Sequence, residues 1–303
     1  MVRKILAALD GGKPSESILP WLELLLAAED SNVTLARVVA ENREQEKADA
    51  RTYLQGVAAR LSERGAYVDS AVLEGSPAGQ LVDFAHGGSY DMIAICTAAK
   101  TGLKRLVLGS VTEDILRHSQ VPLFAVHPLP GEARPQAIRT ILVPLDGSHR
   151  SLTVLPAASG VARAQGAALV LATIVSMTKK EALPIEIVAE SIYGAQKALQ
   201  TQGLEVEVAV LFGDPATEIL RFARERFVDL LAISTHGRTG LDRLLYGSVT
   251  ERVLREGNLP LLIQRTADVP ARHPLGSRAL QARRDALRLQ DSVGTVPKGP
   301  YNR

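Results

Sequence analysis

The chain has one cysteine, Cys96, in 303 residues. That excludes an internal disulfide and a Cys-ligated zinc site. Aromatic residues make up only 4%, while the apolar share of 46% is carried mainly by Leu, Val, Ile and Ala. Such aliphatic strands suit parallel sheets covered on both faces. Long hydrophobic runs are missing too. The stretch 18–28 is interrupted by Pro20 and Glu23 and falls short of the roughly 20 residues that span a bilayer. The opening MVRKILAALD turns polar after one short strand, so it does not read as a signal peptide. Neither sign of charge dominates: 35 Lys and Arg stand against 33 Asp and Glu, net +2. Residues 271–303 carry a surplus of about five positive charges, which leaves the body mildly acidic. A near-neutral body lacks the clustered cations that phosphate backbones need, which argues against nucleic acid as a main partner. A soluble cytoplasmic protein is expected.

Signatures of catalysis are equally scarce. No two of the six histidines have a metal-ligand spacing such as HExxH. Walker A is absent, because Gly12-Lys13 lacks the upstream glycine, and GxGxxG is absent as well. Gly147-Ser148 is not a nucleophile elbow, and no nucleophile stands with a base. Cys96 ends an apolar run and reads as an inert core thiol. At most a slow hydrolase is expected, without catalytic residues to name and without a dedicated metal site.

What the chain has is a repeat. EGSPAGQLVDFA from Glu74 answers FGDPATEILRFA from Phe212, and TGLKRLVLGSVTEDILR from Thr101 answers TGLDRLLYGSVTERVLR from Thr239. About 23 of 53 ungapped positions agree between 75–127 and 213–265, too many for chance likeness of helices. RKILAALDGG at Arg3 likewise answers RTILVPLDGS at Arg139. Two units are expected at 1–128 and 138–266, joined by a Pro-rich linker and followed by a basic tail, 267–303. One helix is expected in that tail near Arg278–Leu289.

In the second unit the pattern predicts strands at Thr140–Leu145, Ala168–Val175, Leu204–Leu211, Val228–Ser234 and Pro260–Gln264. Helices fall at Leu152–Gln165, Lys180–Thr201, from Asp214-Pro215 onward, and at Ser248–Glu256. Five strands alternating with four helices give an α/β fold of two repeated doubly wound domains. Each is a five-stranded, mostly parallel sheet flanked by helices.

Ligands of such sheets sit beyond the carboxyl ends of the strands. There the second unit reads STHGRTGLDRLLYGSVTE, with Gly237 and Gly247 bracketing nine residues before Ser248 opens a helix. Glycine lets a backbone approach a phosphate closely, and the first amides of a helix favour an anion. Two readings stand side by side. Ser248-Val-Thr-Glu251 and Ser110-Val-Thr-Glu113 also fit a capping box. The first unit has Ala98-Ala99 where the second has His236-Gly237, so it looks like a damaged phosphate loop. For Asp10 and Asp146, an Asp-Gly turn competes with ligand contact. His236 reads equally as a phosphate contact or as a solvated loop histidine, whereas Arg238 and Arg243 read as exposed surface arginines before phosphate contacts.

The whole resembles a tandem universal stress protein over about residues 1–266. ATP-binding members of that family carry G-x2-G-x9-G-(S/T) after the fourth strand. Here Ser234-x2-Gly237-x9-Gly247-Ser248 stands with serine for the first glycine, and the first unit keeps only Gly109-Ser110. The resemblance implies the adenine nucleotide alpha-hydrolase-like fold and ATP, normally with Mg²⁺, as ligand. It implies that Asp146, following Pro144, contacts the adenosine part, and that Ile174 packs on adenine. Ile233 and Ser234 would touch base and ribose, while Gly237, Gly247, Ser248 and Val249 hold ribose and phosphates. Asp10, Val38, Gly109, Ser110 and Val111 match in the first unit, where Ala8 replaces the proline. The resemblance also implies pairing of last strands, here Pro122–Val126 against Pro260–Gln264. That gives an intramolecular pseudo-dimer with room for a homodimer. The expected role is adenine-nucleotide-binding regulation in a stress response, with the second unit as main site and an unknown protein partner. A nucleotide-independent interaction module and a slow ATP hydrolase are the competing readings.

Overall fold

The structure, a computed structural model, describes residues 2–26, 31–63, 65–97, 109–128, 135–175, 185–236 and 248–266, with backbone only at 185, 236 and 248. The expected tail helix near 278–289 lies outside them. Residues 1–268 form one compact unit.

In the first repeat the order is β1 (Lys4–Ala8), a 3-10 turn (Ser15–Ile18), α1 (Leu19–Leu25), β2 (Asn32–Val39) and α2 (Glu44–Ser62). Then come β3 (Tyr67–Glu74), α3 (Pro77–Gly87), β4 (Met92–Cys96), α4 (Ser110–His118) and β5 (Leu123–Val126). The second repeat runs β6 (Thr140–Pro144), a 3-10 turn (Ser151–Val154), α5 (Leu155–Gln165), β7 (Ala168–Val175) and α6 (Ile185–Thr201). It ends with β8 (Val206–Phe212), α7 (Pro215–Glu225), β9 (Leu230–His236), α8 (Ser248–Glu256) and β10 (Leu261–Thr266).

All ten strands form one sheet, ordered β3-β2-β1-β4-β5-β10-β9-β6-β7-β8. Every neighbouring pair is parallel except the central one, where Leu123, Phe124 and Ala125 oppose Ile263, Leu262 and Leu261 antiparallel. This is the expected internal pairing of last strands, and it fuses the repeats about a pseudo-twofold axis. Gln264 Nε2 adds a bond to the Gln120 carbonyl at 3.0 Å. Below the seam, the Trp21 and Phe124 rings lie 6.1 Å apart, and Gln165 Nε2 bonds the Leu24 carbonyl at 2.7 Å.

Side chains alternate across the sheet and fill two cores. One holds Ile5, Leu35, Phe124, Val143, Leu171 and Leu262 under α1, α2, α5 and α6. The other holds Leu6, Ile93, Leu142, Val170, Leu231 and Ile263 under α3, α4, α7 and α8. Both cores take residues from both repeats, which is why 1–268 coheres as one body.

Local chemistry sets the element ends. The helix predicted from Leu152 begins at Leu155, because Pro156 lacks an N–H and fits only a first turn; a 3-10 turn precedes it. The strand predicted from Val228 begins at Leu230, since Asp229 is engaged elsewhere. Its carboxylate accepts the Arg139 and Thr140 amides at 2.8 and 3.0 Å. Asp91 accepts those of Arg3 and Lys4 at the same distances. Asp214 caps α7 by accepting the Thr217 amide at 3.1 Å, a bond worth about 1 kcal/mol.

Candidate functional site

In each repeat the winding reverses between the first and fourth strands, β1/β4 and β6/β9, which opens a crevice at their carboxyl ends. The loops after β1 and β6 are built alike. Asp146 Oδ1 accepts the Ser148 amide at 2.9 Å, and the Asp146 amide donates to Ser151 Oγ at 3.4 Å. Asp10 Oδ1 accepts the Gly12 amide at 2.7 Å, and the Asp10 amide donates to Ser15 Oγ at 3.3 Å. One oxygen of each aspartate therefore makes an Asx turn, while both residues stay exposed at the crevice mouth. The turns need positive φ at Gly11 (+89°) and Gly147 (+79°), which glycine adopts without penalty.

The loops are walled differently. A Cβ at Gly11 would lie 2.8 Å from an Arg37 guanidinium nitrogen, whereas one at Gly147 would lie 2.9 Å from Val188 Cα on α6. Arg37 also stacks on the Tyr53 ring at 5.6 Å.

Alternation then sorts the expected site residues. Ile233 belongs to the core under α7 and α8, and Ile174 and Val249 pack against it from its rim. Pro144 shares the face of Leu142 by strand parity, and the Leu145 amide extends the ladder to the Ala172 carbonyl at 2.8 Å. Pro144, Ile174, Ile233 and Val249 thus line one face, with Asp146 at its upper edge. Val38 and Val111 take the matching places in the first repeat.

Ser234 goes the other way. Its hydroxyl bonds the Ser151 carbonyl at 3.1 Å and Thr153 Oγ1 at 3.1 Å, so its side chain faces the 3-10 turn before α5 rather than the crevice. Cys96 holds the same place in the first repeat. Burial, then the Asp10 charge, pushes its thiol up to about 12. That is the inert core thiol the sequence suggested.

The helix starts complete the crevice. In α4 the N-cap is Gly109, with φ −63° and ψ 154°, and Ser110 is the first helical residue. The Ser110–Glu113 capping box therefore does not form as an N-cap and N3 pair, because the N-cap has no side chain. Ser248 opens α8. Gly237 and Gly247, like Arg238 and Arg243, lie outside the described residues, as does the His236 side chain. Among the described residues no three His, Cys, Asp or Glu side chains gather to hold a metal. No helix among them is long and apolar enough to cross a membrane.

Sequence reading missed Ser15, Ser151, Arg37 and Val188. The serines had a signal: each stands five residues after the loop aspartate in its repeat. Arg37 and Val188 had none, since their roles come from strand register and helix placement.

Comparison with known proteins agrees with this architecture. A universal stress protein from Archaeoglobus fulgidus superposes with a TM-score of 0.70 at 20% identity, over 88% of this chain and 100% of that one. A universal stress protein of Mycolicibacterium smegmatis is 24% identical over 290 residues, covering 86% of this chain and 96% of its own length. One of Methanocaldococcus jannaschii is 31% identical over 137 residues, 41% of this chain and 81% of its own. The universal stress protein family matches twice, at residues 1–127 and 137–265. With two family repeats sharing one sheet, the chain belongs to the universal stress protein family.

Proposed function

We propose that this chain is an adenine-nucleotide-binding regulatory protein whose main site is the crevice of the second repeat, 138–266. One observation carries the reading: Ile174 of β7 and Ile233 of β9 pack on one face of the sheet with Val249 of α8, the face that Pro144 at the end of β6 shares by strand parity. An apolar floor of this kind accepts a flat heteroaromatic base, and Asp146 at its edge is placed to accept from a ribose hydroxyl. The first turn of α8, opening at Ser248, offers amides to phosphates. Ser234 contributes backbone only. Mg²⁺, when present, arrives with the phosphates, which supply the oxygen ligands it prefers. The first repeat, 1–128, has Ala8 for the proline and Ala99 for the loop glycine, and is the weaker site. The binding step needs no catalytic residue; the protein acts by changing state when nucleotide is present.

Isothermal titration calorimetry with ATP tests this. Saturable binding that Gly237→Val abolishes is the expected result, because a branched side chain would intrude on the phosphates. Absence of binding at millimolar ATP rejects the reading in favour of a nucleotide-independent interaction module. Mass spectrometry of small molecules released from freshly purified protein identifies the native ligand.

A further inference from the structure

Among the described residues the sheet ends in two unpaired edges, β3 and β8, and they occupy equivalent places in the two repeats. Their chemistry differs. On β8, the Leu169 amide bonds the Glu205 carbonyl and the Gly213 amide bonds the Val175 carbonyl. Odd-numbered residues therefore face β7, and Val206, Val208, Val210 and Phe212 turn their main-chain groups outward. The Val206 carbonyl is already taken by Gln196 and Gln200 at 3.1 and 3.3 Å. Val208, Val210 and Phe212 follow with outward groups that bond nothing else among the described residues. Val210 is 46% exposed and Phe212 67%.

On β3 the Gly75 amide bonds the Val39 carbonyl, so the outward residues are Val68, Ser70, Val72 and Glu74. Ser70 and Glu74 are exposed, and Glu74 holds Lys47 at 2.7 Å. Where β3 has Ser and Glu, β8 has Val208 and Phe212. Charged side chains on an edge block strand addition, and a long apolar edge invites it. One edge of this molecule is guarded and its counterpart is not.

We infer that β8 is a self-association edge, on which the β8 strand of a second copy of this chain pairs antiparallel about Val210. In that register Val210 opposes the partner's Val210, and Val208 opposes the partner's Phe212. It uses the three open residues and leaves the capped Val206 carbonyl undisturbed. Apolar side chains meet across the seam on one face. The one charge within the strand, Glu207, falls opposite the partner's Gly213, so no like charges meet. The chain already joins its own repeats by antiparallel strand edges at β5 and β10, and the β8 seam repeats that mode between chains, giving a twenty-stranded sheet.

Sedimentation equilibrium on the full chain, without nucleotide, tests it. The expected mass is twice 32.5 kDa for the wild type and 32.5 kDa for Val210→Lys, which sets two ammonium groups against each other. Unchanged circular dichroism and melting of the exposed-site variant separate lost pairing from misfolding. Val210→Cys reads the register. Residues opposite in a bonded pair have Cα atoms about 5.5 Å apart, within disulfide reach, so mild oxidation should yield a covalent dimer. Ser70→Cys on β3 should not. A monomeric wild type at millimolar concentration overturns the inference. So does a dimer that survives Val210→Lys, or cross-linking as efficient from Ser70→Cys as from Val210→Cys.

Discussion

The Ser234 hydroxyl lies 3.1 Å from that of Thr153, across the sheet from Ile233. Neighbours on one strand therefore face opposite sides of the sheet: Ile233 packs into the core under α7 and α8, and Ser234 ties β9 to the turn before α5. Ser234→Ala removes two bonds from a buried position, each worth about 1 kcal/mol. The expected result is a fall in melting temperature of several degrees with ATP affinity within about twofold of wild type. Thermal denaturation and calorimetry on one preparation check both halves.

Asp146 combines a turn and a candidate ligand contact, and two substitutions separate them. Asparagine keeps an oxygen for the Ser148 amide, so Asp146→Asn should leave stability nearly unchanged. It should also weaken ATP binding by about tenfold, as expected on losing one charge-assisted hydrogen bond of roughly 1.5 kcal/mol. Asp146→Ala should lose both, with a further cost near 1 kcal/mol in urea denaturation. Equal affinity for Asp146→Asn and wild type would assign the aspartate to the turn alone.

The fold was legible in the sequence because the repeat and the aliphatic runs report the same thing: strands buried on both faces and joined by helices. Ala168–Val175 and Ser248–Glu256 came out with their predicted bounds. Ends set by a single side chain were harder. Asp229 shortens β9 through bonds to residues about 90 positions away, and no local pattern announces that. The site was legible by residue type but not by direction. Ser234 followed from a motif, whereas the face it points to follows from strand register, which is a property of the assembled sheet.

Gly147 and Gly166 both have positive φ, +79° and +63°, yet they should respond differently to alanine. A Cβ at Gly166 meets nothing within 4 Å, while one at Gly147 would lie 2.9 Å from Val188 Cα and Cγ2. Gly166→Ala costs only the left-handed strain of about 1 kcal/mol. Gly147→Ala adds overpacking of about 1–3 kcal/mol and pushes the first turns of α6 away from the loop. Chemical denaturation ranks the two. Hydrogen exchange over α6 should quicken in Gly147→Ala and stay unchanged in Gly166→Ala.

His127 closes the first repeat, with Nδ1 3.1 Å from Thr97 Oγ1 and Nε2 buried without a partner among the described residues. Burial lowers its pKa from 6.5 to about 4. Above pH 7.5 the imidazole is neutral both folded and unfolded, so it contributes no pH dependence. As pH falls through 6.5 the unfolded chain takes up a proton that the folded chain refuses, and folding loses stability. The loss stops growing below about pH 4, where both states are protonated. Its ceiling is on the order of 3 kcal/mol. In His127→Gln this contribution is gone. The stability of wild type relative to His127→Gln, from denaturant titrations between pH 7.5 and 4.5, should therefore fall steadily as the solution is acidified. A flat difference over that window would mean the ring is solvated and titrates normally.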